Sequence, residues 1–128
     1  MPKEVIKTDK GPSPLGAYSQ GWRAGDFVFI TGTAPVDGDG KVAGDSVADQ
    51  TRVVIENLRG ILEAAGAGLD DVVKSMVYLW DTDDFAEFNE VYAKYFQDPR
   101  PVRTTIGVDM RQVPGMKIEI DVIAYVGD

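Results

Sequence analysis

"MKIEIDVIAYV", residues 116–126, decides the fold. Ile118, Ile120, Val122 and Ala124 form an apolar row at a period of two, and Lys117, Glu119, Asp121 and Ile123 point the other way. A strand with this alternation lays one face on a core and leaves the other free for a different task. The preceding "PVRTTIGV", residues 101–108, alternates in the same manner. Its apolar row is Val102, Thr104, Ile106 and Val108, expected to face inward, with Arg103, Thr105 and Gly107 on the opposite side. If the two segments pair as a hairpin around "DMRQVPG", Arg103 and Glu119 share one sheet face. On spacing alone that is a cross-strand ion pair worth under about 1 kcal/mol. The chemical alternative is an arginine that grips a carboxylate with its bidentate fork while a glutamate activates water or moves a proton.

Working outward, "DDVVKSMVYLWD" (70–81) reads as a strand and "TDDFAEFNEVYAKYF" (82–96) as a helix, with acidic residues in its first turn where the helix dipole favours them. Phe85, Phe88 and Tyr92 line one side of that helix, and Asn89 sits in the i+4 slot beside them. There it either reaches a buried hydrogen-bond partner or borders solvent. An earlier helix starts at Asp45 or Ser46, where Ser46 and Asp49 stand in capping-box-like spacing, and ends before Gly66. Its stripe is Val47, Thr51, Val54, Leu58, Ile61, Leu62 and Ala65. "DFVFITG" (26–32) is apolar on both sides, as a central strand would be, and "APVDGDGKVAGD" (34–45) is turn-rich with a small hairpin. "KEVIKT" (3–8) fits an edge strand, and "KGPSPLGAYSQG" (10–21) an ordered loop carrying Tyr18, Ser19 and Gln20. Gly32 follows the central strand, either as a plain turn or as a point where a ligand approaches the backbone. The order is β-β-β-α-β-α-β-β: an α+β domain spanning residues 1–128, with a mixed sheet and two helices on one face.

Two helices cover only one side of such a sheet. Met76, Tyr78 and Trp80 on one strand, with Ile123, Tyr125 and Phe27 or Val28, leave bulky apolar residues on the side without helices. A broad apolar face of this kind marks an interaction surface, so a homo-oligomer is expected.

Composition narrows the chemistry. The 128 residues are 44% hydrophobic and 27% charged, enough for a real core. No apolar run is long enough to span a membrane and no apolar leader opens the chain, so a soluble, cytoplasmic protein is expected. His and Cys are both absent, which removes thiolate nucleophiles, histidine triads and the usual zinc sites. No metal and no cofactor are expected. Any catalysis falls to carboxylates, Arg, Lys, Tyr, hydroxyls, backbone groups and water. The net charge of −8 offers no electrostatic footprint for nucleic acid.

"SPLGAYSQG", "FVFITGTAPVD", "DFAEFNEVYAKYF", "RPVRTTIGV" and "KIEIDVIA" together resemble the RidA family of reactive enamine/imine deaminases over nearly the whole chain. That resemblance implies a chorismate-mutase-like fold and a homotrimer whose sheets line a central β-barrel, with active sites in clefts between subunits. By position it implies that Arg103 binds the substrate carboxylate and Glu119 directs the attacking water. Tyr18 would line the cleft from a neighbouring subunit, and Thr31, Gly32, Asn89 and Thr105 would complete the binding site. The implied reaction is hydrolysis of a 2-imino acid to a 2-keto acid and ammonia. Ala17, Thr33, Thr105 and the loop "DMRQVPGM" depart from the usual family pattern, which bears on substrate range. The alternatives are a non-catalytic carboxylate-binding trimer acting as sensor or chaperone, a ribonuclease or translation inhibitor, and a specialised catabolic deaminase of the aminomuconate type.

Overall fold

The computed structural model describes residues 2–128. Strands β1 (Lys3–Ile6), β2 (Gly21–Ala24) and β3 (Phe27–Thr33) precede helix α1 (Val47–Ala64). Strand β4 (Val72–Leu79), helix α2 (Phe85–Tyr95), β5 (Val102–Gly107) and β6 (Ile118–Tyr125) follow. The six strands form one sheet in the order β1-β2-β3-β6-β4-β5, antiparallel throughout except for the parallel pair β4–β5. Among the described residues no helix is long and apolar enough to cross a membrane.

The expected element order holds, but its third strand is a different one. The two-residue connection at Gly25 and Asp26, with Gly25 at φ +60°, makes β2 and β3 a tight hairpin. Only four residues of β2 pair, too few for an alternation to be read from sequence. The segment 34–45 supplies a single bridge between Val36 and Val42, closed by the Asp37 amide donating to the Lys41 carbonyl.

The hairpin expected between the last two strands is corrected. β6, whose inward row Ile118, Ile120, Val122 and Ala124 is wholly buried, takes the central slot between β3 and β4. β5 runs parallel to β4 and is the sheet edge, because α2 carries the chain back across the helical face before β5 begins. The predicted facing of β5 is reversed as well. Val102, Thr104 and Ile106 pair with Lys74, Met76 and Tyr78 on the side without helices, where Val102 is 66% and Ile106 41% exposed. Arg103 pairs with buried Ser75 and turns toward α2. Hydrophobicity alone does not distinguish a row that completes a core from one that extends an exposed apolar face.

Both helices pack on one side. α1 begins at Ser46, whose hydroxyl accepts from the Asp49 amide at 3.0 Å. It ends in a Schellman arrangement: Gly66 donates to the Glu63 carbonyl, Ala67 donates to the Leu62 carbonyl, and Gly66 sits at φ +77°. Val54, Ile55, Leu58, Ile61 and Leu62 from α1 meet Phe88, Tyr92 and Phe96 from the second helical segment over the inward rows of β3, β4 and β6. The other side is bare, and it carries Trp22, Phe27, Phe29, Tyr125, Val102 and Ile106. Phe27 and Tyr125 stack edge-on there at 5.2 Å.

The loop 7–20 lies against the back of α1. A Cβ placed on Gly60 would fall onto the Lys10 carbonyl oxygen and come within 2.8 Å of its carbon. Gly60→Ala sets a helix-propensity gain of about 1 kcal/mol against an overpacking cost of about 1–3 kcal/mol. Because the opposing atoms are backbone, the cost prevails, and chemical denaturation should show the variant less stable than the parent.

Candidate functional site

Glu119 belongs to the bare face. Its sheet partner on β4 is Tyr78, three positions beyond Ser75, which is the partner of Arg103. An odd separation along a strand reverses the facing. Arg103 and Glu119 therefore stand on opposite sides of the same sheet, and the shared face expected for them is corrected. They define two clefts.

The first cleft is built on a bulge. Between Ile30–Val122 and Thr33–Ile120, β3 holds two residues, Thr31 and Gly32, against the single Asp121 of β6. The bulge brings the Gly32 backbone against the Glu119 side chain. A Cβ there would strike the Glu119 Oε2 and lie 3.0 Å from its Cδ, so only glycine leaves room for this carboxylate. The Thr31 amide donates to the Gln20 carbonyl at 2.9 Å, which ties the bulge to the loop 8–20. Buried Gln20 organises that loop by accepting from the Thr8 amide at 2.8 Å and donating to the carbonyls of Thr8 and Pro12 at 2.9 and 2.8 Å. Tyr18 folds back so that its hydroxyl accepts from the Leu15 amide at 2.9 Å. Leu15, Tyr18, Thr31, Gly32, Met116 and Glu119 line a cleft of about 480 Å³.

The far wall is the loop 109–116, held from behind by Gln50. This fully buried side chain donates to the carbonyls of Gly44 and Gly115 at 3.1 and 2.9 Å and accepts from the Lys117 amide at 2.8 Å. Burial pushes the Glu119 carboxyl above the usual carboxylate range, and the Asp121 charge adds to the shift. Glu119 has no hydrogen-bond or ion-pair partner among the described residues. Asp121 accepts a 2.7 Å hydrogen bond from the Tyr78 hydroxyl, which raises that phenol to about 12.

The second cleft is built on α2. A turn at Thr82–Asp84 leads into the helix, with the Asp81 side chain accepting from the Asp83 amide at 2.9 Å. Phe85, Phe88 and Tyr92 then present their rings to Arg103, whose guanidinium carbon lies 5.5, 5.3 and 4.8 Å from the three ring centres. Nη1 of Arg103 donates to the Asn89 Oδ1 at 2.8 Å, which accounts for a polar residue on this helix face. A neutral amide orients the guanidinium without cancelling its charge, and no carboxylate pairs with it among the described residues. Beneath it the Tyr92 hydroxyl and Ser75 Oγ are 2.6 Å apart, in a layer closed to solvent. Burial raises the Tyr92 phenol, while Ser75, Arg103 and Arg100 oppose that shift. Two residues beyond Arg103, on the same strand face, Thr105 Oγ1 is buried with no hydrogen-bond partner. Such an orphan is a group left waiting for a ligand or a water. Asn89, Tyr92, Arg100, Pro101 and Arg103 border a cleft of about 400 Å³.

One chain thus brings Tyr18, Thr31, Gly32 and Glu119 together, and separately Arg103 and Asn89 with Thr105 alongside. It does not unite the two sets. Gln50, Arg100, Asp121 and Tyr78 shape the clefts with no site role read from sequence, whereas Gln20 is one of the polar loop residues noted there and here organises that loop. The signal available for Gln50 was its place inside the apolar stripe of α1, next to Thr51. Among the described residues no group of carboxylates converges as a metal site.

The chain is thus an α+β domain with a glutamate in a glycine bulge on one sheet face and, on the other, an arginine that no carboxylate of the described residues pairs. The family model described as Endoribonuclease L-PSP matches residues 8–126. A RutC family protein of Pyrococcus horikoshii is 49% identical over 125 residues, covering 96% of this chain and 98% of the relative. Reactive Intermediate Deaminase A, chloroplastic, of Arabidopsis thaliana is 44% identical over 123 residues, covering 95% of this chain and 65% of the relative. Among solved structures, a Thermotoga maritima protein superposes with a TM-score of 0.91 at 38% identity, covering 98% of both chains. TdcF of E. coli with bound serine superposes with a TM-score of 0.87 at 35% identity, covering 97% of this chain and 99% of that one. The chain belongs to the L-PSP family, the YjgF/RidA proteins, as its motifs indicated.

Gly32→Ala should evict the Glu119 carboxylate from the bulge. NMR titration of labelled glutamate carboxyls is then expected to show Glu119 moving down toward the ordinary range. An unchanged titration would mean that the bulge does not set its environment.

Proposed function

We propose that this protein hydrolyses 2-imino acids to 2-keto acids and ammonia, in sites that each need two protomers. One observation carries the reading: Arg103 and Glu119, the two groups suited to this chemistry, occupy opposite faces of one sheet, and neither has a countercharge among the described residues. A bare apolar face beside Glu119 supports assembly, and a trimer whose sheets close into a barrel would set the Arg103 cleft of one protomer against the Glu119 cleft of its neighbour.

The chemistry then follows from the groups present. The guanidinium of Arg103, held by Asn89 and three rings, takes the substrate carboxylate and so places the imine carbon. Ionised Glu119 accepts a proton from water as its oxygen adds to that carbon. The C=N π bond opens as Glu119 passes that proton to nitrogen, giving a carbinolamine; the carbinolamine hydroxyl then yields its own proton, which Glu119 carries to nitrogen as the C–N bond breaks, so that C=O forms and ammonia leaves. Thr105 Oγ1 is available to the polar atoms of the adduct, the Gly32 backbone leaves room beside Glu119, and Tyr18 walls the cleft. No covalent nucleophile is required, because the imine is already electrophilic.

Subunit mixing tests the shared site. Arg103→Ala and Glu119→Ala should each lose at least about a hundredfold in turnover as pure proteins. Co-refolding them in equal amounts should restore about a quarter of parental activity, since random assembly leaves that share of interfaces intact. Two inactive proteins that stay inactive when mixed would sink the shared site.

The pH dependence has a defined sign. Glu119 acts ionised, so activity falls as pH drops through its raised value. Asp121→Asn removes a like charge, which should move the acid limb of the kcat/KM profile to lower pH.

A second reading starts from TdcF with bound serine: this chain would then form a trimer that binds small carboxylates without turning them over. Glu119→Ala separates the two, because binding by Arg103 survives it in either case while turnover exists to be lost only in the enzyme. RNA cleavage is disfavoured by a net charge of −8 without a basic stripe.

A further inference from the structure

Arg52, Arg59 and Arg111 each hold a carboxylate of this chain, at 3.0, 2.9 and 2.6 Å. Arg100 and Arg103 hold none among the described residues, and both border the same cleft. In a protein of net charge −8, two unpaired guanidiniums in one hollow form a local positive site that its own acids leave open. Arg100 is also held in place. Its Nε donates to the Phe96 carbonyl at 2.7 Å, at the end of α2, which leaves the terminal Nη groups uncommitted. Pro101 follows directly and stiffens the main chain between the two arginines. Tyr92 borders the same cleft, and both guanidiniums oppose the rise of its phenol. One carboxylate engages one guanidinium in a bidentate fork, so the second is surplus for a substrate with a single acidic group.

We propose that Arg100 is a specificity-determining residue that binds a second acidic group, so that the cleft prefers 2-imino acids with a carboxylate on the side chain, the imines of short dicarboxylic amino acids. This rests on the imine-hydrolase reading for its chemistry but not for its binding. Arg103 takes one carboxylate and Arg100 the other, and the imine carbon between them is presented to water. An unbranched apolar side chain gains nothing from Arg100, so the discrimination comes from attraction to the dianion alone.

Two measurements on the parent protein, Arg100→Ala and Arg100→Lys test this. The first is calorimetric binding of 2-oxobutyrate and pyruvate against 2-oxoglutarate and oxaloacetate. The parent should favour at least one dicarboxylate by about tenfold. Arg100→Ala should abolish that preference while leaving monocarboxylate affinity within about twofold, and Arg100→Lys should retain part of it. The second is hydrolysis of imines generated in situ from alanine, 2-aminobutyrate, aspartate and glutamate, followed by loss of the semicarbazone formed with a trapping agent. The same preference should appear in kcat/KM. Equal binding of both acid classes by the parent, or an Arg100→Ala loss equal for both, overturns the proposal. Hydrolysis of alanine imine without any dicarboxylate preference overturns it while the imine-hydrolase reading stands. Arg100-dependent dicarboxylate binding without hydrolysis of any imine upholds the anion site and sinks that reading.

Discussion

The constraint on which everything else depends is the two-residue period of β6 in its central position. With β3 on one side and β4 on the other, its register cannot slip by one residue without driving Glu119 and Asp121 into the core and Ile118, Ile120 and Val122 out of it. The hydrophobic core thereby fixes the site. Each buried isoleucine that anchors the strand also dictates that its neighbour points to the bare face. The bulge in β3 uses the same register: because β6 holds firm, the extra residue in β3 has to bend outward, and the backbone it displaces is the part that lies against Glu119.

The two clefts achieve reactivity by different physical means. Glu119 is half-buried and set near a like charge, and both favour its protonated form. Arg103 is set on aromatic faces with a neutral amide as its hydrogen-bond partner, so its cation stays exposed to an incoming anion. Either arrangement alone leaves an electrostatic debt within the chain. A carboxylate and a guanidinium that lack countercharges are suited to meet a neighbour's opposite group and a polar substrate between them.

Much of this was legible in the residues. Periodicity was strong in β6, α1 and α2, where one face is apolar and the other is not, while β3 and β4 declared themselves as apolar runs. Ser46 and Gly66 marked the ends of α1 through local hydrogen bonding that sequence encodes directly. The pairing of β5 was not legible, since nothing in "PVRTTIGV" distinguishes an edge strand running parallel to β4 from a hairpin partner of β6. Its apolar row belongs to the bare face, and inward facing had been inferred from hydrophobicity alone. The bulge was also invisible, because an extra residue in one strand is defined only by its partner. Gln20 and Gln50 act over separations such as 12 and 67 residues, and no local pattern announces contacts of that range.

Gln50 has an evolutionary consequence. It grips the loop 109–116 solely through main-chain atoms, the Gly115 carbonyl and the Lys117 amide. A clasp of that kind is blind to which side chains the loop displays. Arg111, Gln112 and Val113 can therefore drift from one descendant to the next while the wall they decorate stays put. The scaffold separates shape from side-chain identity at that wall, because the bonds that hold it do not involve the residues it displays.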